Sequence, residues 1–114
     1  MTLYAAFTYT EDADWTAPEH GELMKEYNTF GHEHAEVIKG GHALYPTSTA
    51  TTVRVTGGKG GDVVTSDGPY AETKEALTGF YLFECKDLDE AIAVAAKNPA
   101  TWGGAIEIRP VIVF

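Results

Sequence analysis

The side chains with the most chemical reach in this sequence fall in four places: His34, Asp67, the loop residues Tyr70 and Glu72, and the strand pair Glu107 and Arg109. A histidine held by a carboxylate moves protons near neutral pH, so His34 with Asp67 is the candidate acid and base pair. An arginine beside a glutamate on an otherwise apolar strand is either a mutual ion pair or, next to a cavity, a site for an anion or carboxylate. Tyr70 and Glu72 belong to a polar loop that either lies in solvent or faces that cavity.

Each of these readings has a bland competitor. Three of the four histidines, His20, His32 and His34, cluster in one segment. The helical pattern there leaves His20 and His32 on the polar side and His34 within the apolar stripe, where burial obliges it to find a partner. A satisfied core histidine meets that obligation as well as a catalytic one does. Asp67 precedes Gly68 and Pro69, and an aspartate in such a turn ordinarily accepts backbone N–H groups. The run GHEH at 31–34 invites a metal reading, but histidines two apart on a helix diverge, and the HExxH spacing is absent. No metal site or other cofactor is expected. Cys85 is the single cysteine, lies in an apolar run and reads as a packed thiol. The glycines from Gly57 to Gly61 join two strands instead of opening a helix, so they form a turn and not a phosphate cradle.

The chain has 114 residues, 44% of them hydrophobic and 22% charged, which suits a single ordered domain over 1–114. A net charge of −9 without any Lys or Arg cluster argues against nucleic acid and anionic membranes as partners. The N-terminal run has no basic start, no apolar stretch reaches the ~18 residues of a membrane span, and the lone cysteine suits a reducing compartment. A cytoplasmic protein is expected.

The elements that must position these residues follow from periodicity. Leu3 to Thr10 alternates as a strand, with Leu3, Ala5, Phe7 and Tyr9 on its more apolar face. Trp15 lies in an acidic connector, pinning it to the body or covering a pocket. From Pro18 to about Lys39 the positions Leu23, Tyr27, Phe30, His34 and Ile38 predict an amphipathic helix stopped by Gly40 and Gly41. His42 to Pro46 reads as a short strand, and Thr52 to Thr56 pairs with DVVTS around the glycine turn. Gly79 to Lys86 is a strand apolar on both faces. Asp87 opens a second helix with Leu88, Ala91, Ile92 and Ala95 inward, closed by Asn98 and Pro99. Ala105 to Phe114 is the last strand, with Glu107 and Arg109 on one face.

This order predicts an α+β fold: a ferredoxin-like antiparallel sheet with two helices on one face and an inserted β-hairpin. Two helices cover one face only. The other needs a cover, and a second copy of the sheet supplies it, giving a homodimer with a cavity between the sheets.

The segments DGPYAETKEALTGFYLFECKDLDEAIAVAAKNP and GGAIEIRPV, preceded by LYPTSTATTVRV, resemble the YCII-related family, in particular its DGPF branch. The resemblance covers about two thirds of the chain and implies a dimeric ferredoxin-like α+β barrel. Tyr70 stands where the signature has phenylalanine. The histidine and aspartate proposed as an acid and base pair in the YCII branch fall at Phe30 and Lys39, so that pair does not carry over, and His34 with Asp67 is a substitute read from this sequence. Three functions stay open: a module binding a small organic acid between the sheets, with Arg109 holding the carboxylate; a cofactor-free isomerase or lyase using His34 and Asp67; and a dimerising adaptor in transcriptional regulation.

Overall fold

A computed structural model describes residues 1–114. The elements are β1 (Thr2–Thr10), α1 (Gly21–Glu33), β2 (Ile38–Ala43), β3 (Thr51–Thr56), β4 (Asp62–Asp67), β5 (Ala76–Cys85), α2 (Leu88–Ala96), α3 (Ala100–Gly103) and β6 (Ala105–Pro110). Four of the strands form one antiparallel sheet in the order β2-β5-β1-β6, while β3 and β4 form a separate ribbon. The chain is thus α+β, and its topology is consistent with the ferredoxin-like arrangement carrying an inserted hairpin.

The helices cover the face of β1 that carries Tyr4, Ala6, Thr8 and Thr10, all buried. The more apolar face, Leu3, Ala5, Phe7 and Tyr9, is only half-buried. Three threonines enter the covered face because they satisfy one another: Thr78 Oγ1 lies 3.2 Å from Thr8 Oγ1 and 3.0 Å from Thr10 Oγ1. Thr78 is the extra residue of a bulge, since Thr8 pairs with Gly79 and Tyr9 with Leu77. The core between sheet and helices joins Tyr4, Ala6, Phe83 and Cys85 to Phe30 of α1 and to Ala91, Val94 and Ala95 of α2.

The first helix is shorter than the sequence pattern suggests. A single 3-10 turn, Pro18–His20, leads into α1, which ends at His34. Val37 and Ile38 both donate to the His34 carbonyl, and Ile38 opens β2 opposite Phe83. Ile38 is apolar because it faces the core from a strand, and its spacing from His34 imitates another helical turn. Gly40 and Gly41 therefore lie within a strand and do not stop the helix. Gly41 has φ +141°, and a Cβ there would sit 2.4 Å from the Phe80 carbonyl oxygen, so only glycine permits this approach of β2 to β5.

On α2 the predicted cap is present: Asp87 Oδ1 accepts from Glu90 N at 2.9 Å and Glu90 Oε1 accepts from Lys86 N at 3.0 Å. The buried face is Ala91, Val94 and Ala95, whereas Leu88 and Ile92 are half exposed. The small residues point inward because α2 lies close against the sheet. The last strand ends at Pro110, so Ile112, Val113 and Phe114 are exposed and outside the sheet.

A candidate small-molecule site under the first helix

Between the N-terminal half of α1 and the β2–β5 end of the sheet lies a cavity of about 240 Å³. Its outer wall is Trp15. The connector that carries Trp15 is folded by Asp14, whose Oδ1 accepts from Thr16 N at 2.9 Å and Thr16 Oγ1 at 2.6 Å. These hydrogen bonds hold the Asp14 carboxyl below its usual range. The indole then rests on His20, with ring centroids 4.8 Å apart, and meets Tyr27 edge-on at 6.3 Å.

Two phenols supply most of the polarity. Tyr27 reaches in from α1, and burial, helped by the neighbouring Tyr81, pushes it up to about 12. Tyr81 stacks on Phe83 at 5.4 Å and meets Phe30 edge-on at 5.5 Å. Its hydroxyl accepts from Asn98 Nδ2 at 3.1 Å. Burial raises Tyr81 too, and the Asn98 bond opposes that rise. Asn98 is fully buried, its Oδ1 accepting from Ala100 N at 2.9 Å at the elbow between α2 and α3. With Asn98 donating to it, the Tyr81 hydroxyl keeps its own proton for a further acceptor. Both phenols are protonated at neutral pH and act as neutral donors.

The remaining lining is Met24 and Asn28 of α1, the engaged hydroxyls of Thr8 and Thr78, and the strand backbone at Gly41, His42, Ala43, Gly79 and Phe80; the side chains of His42 and Phe80, paired across β2 and β5, turn to the opposite face of the sheet with Phe7. No Asp, Glu, Lys or Arg lines the cavity. Such a surface suits an uncharged molecule with a flat apolar body and a hydrogen-bond acceptor.

The six residues singled out from the sequence all lie outside this cavity. His34 caps α1, half-buried; its Nδ1 is 3.0 Å from the Phe30 carbonyl oxygen, which can only accept, and its ring lies 4.6 Å from that of Phe30. Asp67 is exposed at the end of β4, opposite Thr51. No hydrogen bond or ion pair joins His34 to Asp67; the two ion pairs present are His20–Glu19 and Lys25–Glu22. Tyr70 is exposed, with the Arg54 guanidinium 5.2 Å over its ring. Glu72 borders a second hollow with Asp12 and Thr47. There the Thr47 N and Oγ1 both donate to the Asp12 carboxylate and hold it below its usual range. Glu107 and Arg109 are brought together on the face away from the helices, opposite Phe7 and Ala5 of β1.

The sequence did carry a signal for the residues it missed. A tyrosine in a strand buried on both faces requires a partner for its hydroxyl. Asn98, read only as a helix terminator, is that partner. His42, Gly41 and Gly79 enter the lining through strand pairing, which periodicity does not reveal.

The fold is α+β, with a half-open hollow under α1 that no Asp, Glu, Lys or Arg lines. The YCII-related domain matches residues 2–114, and the chain belongs to that family. A relative in Rhizobium meliloti, described as an uncharacterized protein, is 36% identical over 121 residues, spanning 98% of this chain and 94% of its own length. No helix is long and apolar enough to cross a membrane.

Proposed function

We propose that this protein binds a small, uncharged, planar organic molecule bearing a carbonyl or similar acceptor in the cavity under α1, and that it works as a homodimer with open sheet faces opposed, the dimeric α+β barrel of the DGPF branch. The observation that carries the ligand class is the lining itself: aromatic walls from Trp15, Tyr27 and Tyr81, two protonated phenols, and no Asp, Glu, Lys or Arg. A carboxylate here would lose its hydration without gaining a fixed cation. The volume falls below the ~300 Å³ at which drug-sized pockets begin, which favours one or two rings.

The test uses the two tryptophans. In a Trp102→Phe background Trp15 is the sole indole, so aromatic aldehydes, enones and lactones can be screened by quenching of its emission and by thermal shift. Acceptor-bearing ligands should quench and stabilise, and Tyr27→Phe should weaken them about tenfold. Equal binding of carbonyl compounds and their hydrocarbon analogues would sink the proposal.

A second reading rests on Arg109, which is exposed, has no ion pair, and lies opposite Ala5 on a face that also carries Glu107 and the apolar side chains of Phe7, Tyr9, Phe80 and Leu82. Enclosed by a second sheet, its guanidinium would hold a small organic acid. Thermal shifts by carboxylates that persist undiminished in Arg109→Ala would dispose of that site.

A further inference from the structure

We propose that the ribbon β3–β4 is an arm that seats its valine face on a second copy of this chain; the inference rests on the homodimer proposed above and adds a contact surface to it. Every residue from Val53 to Asp67 is exposed. Strand pairing sets Val53 against Thr65 and Val55 against Val63, so three valines share one face with Thr65 and, at the base, Thr51 and Asp67, while Thr52, Arg54, Val64 and Ser66 share the other with Thr56 and Asp62 at the tip. Arg54 on the second face lies over Tyr70 at the ribbon's base. The valine face is left to solvent, with Val53 61% and Val63 69% exposed.

A two-stranded ribbon alone is marginal in water, and the hydrogen bonds at its base, Gly68 N to the Ala50 carbonyl at 2.8 Å and Thr52 Oγ1 to the Gly68 carbonyl at 2.9 Å, only extend its own pairing; the tie to the body lies just before it, where Thr47 N donates to Asp12 Oδ1 at 3.0 Å. The chain extends 46 × 42 × 19 Å with a radius of gyration of 16.2 Å, against about 13 Å for a compact domain of this length. Such a flat, spread shape belongs to a molecule whose apolar surfaces are completed by another.

Area and charge select a second copy as the occupant. One face of the ribbon is about 20 Å by 10 Å, roughly a quarter of the ~800 Å² that each member of a stable pair buries. A separate partner held by the ribbon alone would bind weakly. The open sheet face adds about 400 Å² more, and a two-fold pair uses both surfaces twice. Arg54 and Lys59 balance Asp62 and Asp67, so the ribbon is neutral while the rest of the chain carries the whole charge of −9. The ribbon can therefore meet the acidic body of a copy without net repulsion.

The experiment compares wild type with Val53→Thr/Val55→Thr/Val63→Thr by sedimentation equilibrium, and follows hydrogen exchange of the wild-type ribbon amides over a dilution series. Threonine keeps the β-branched shape at exposed positions, and far-UV circular dichroism checks the fold. The proposal expects a dissociation constant at least about tenfold higher in the variant and ribbon amides that lose protection as wild type is diluted into single copies. A wild-type pair with an unchanged constant in the variant, or with ribbon amides indifferent to dilution, overturns the arm and leaves the sheet pairing standing. Single copies of wild type at every concentration overturn both.

Discussion

The hydroxyl of Tyr81 shows how one atom couples the core to the cavity. It accepts from the fully buried Asn98, whose carbonyl oxygen secures the start of α3. Tyr81→Phe removes no carbon but leaves Asn98 Nδ2 without a partner, which costs ~1–3 kcal/mol. Urea unfolding should show that loss, with Tyr9→Phe on the open face as a near-neutral comparison. Tyr27 gives a prediction in pH. Its pKa rises from 10.0 to about 12 on folding, so above the lower value the unfolded chain releases a proton that the folded chain keeps. Stability from this residue is intact below pH 10 and falls as pH rises toward 12. Tyr81 and Cys85 are raised too, Cys85 by burial and then by Glu90, and act in the same sense. Unfolding midpoints measured across that window should therefore drop, and drop less steeply in Tyr27→Phe. Sequence reading reached neither tyrosine as a site residue, because it searched for charged and nucleophilic groups. The cavity is built from neutral donors, whose importance depends on burial and pairing.

At the scale of elements, the β2–β5 contact is the joint that bears on the cavity, because it floors it. Gly41→Ala would force a Cβ to within 2.4 Å of the Phe80 carbonyl oxygen in a φ region that favours glycine. The expected cost is about 2–3 kcal/mol, visible in thermal unfolding, together with loss of ligand binding as β2 shifts away. Gly40→Ala next to it meets only Leu82 Cδ1 at 3.5 Å and should change little. The contrast separates backbone geometry from a general effect of side-chain bulk. The strands β1 and β5, the capped second helix and the ribbon were legible because alternation, the Asp87 to Glu90 cap and the glycine turn are local signals, whereas the strand read as His42 to Pro46 runs over Ile38–Ala43 and the last strand ends at Pro110 instead of Phe114. The end of α1 was not. Ile38 continues the helical spacing of Phe30 and His34 by coincidence, and only its pairing with Phe83 reveals it as a strand residue. That misreading placed His34 mid-helix on a core stripe, whereas it caps the helix and bonds back to Phe30.

For the whole molecule, the decisive feature is a sheet with helices on one face and none on the other. Phe7, Tyr9, Phe80 and Leu82 lie half-buried on the uncovered face, and Leu77 is 42% exposed. In an isolated chain, Leu82→Glu places a carboxylate at a half-buried position with access to water. In an opposed pair of sheets the same substitution occurs twice by symmetry and buries two like charges in a surface that is otherwise largely apolar. Pairing should then weaken by far more than the tenfold that about 1.4 kcal/mol represents, with little change in far-UV circular dichroism. Ile92→Glu is the matched control: Ile92 is 50% exposed, but on α2, across the sheet from that face. Light scattering should report a pair for wild type and Ile92→Glu and single chains for Leu82→Glu. Should Ile92→Glu dissociate the pair and Leu82→Glu leave it intact, the copies meet through their helices. The open face, with Arg109 on its edge strand β6, would then be a surface exposed to solvent, and an enclosed acid site between sheets would have no walls.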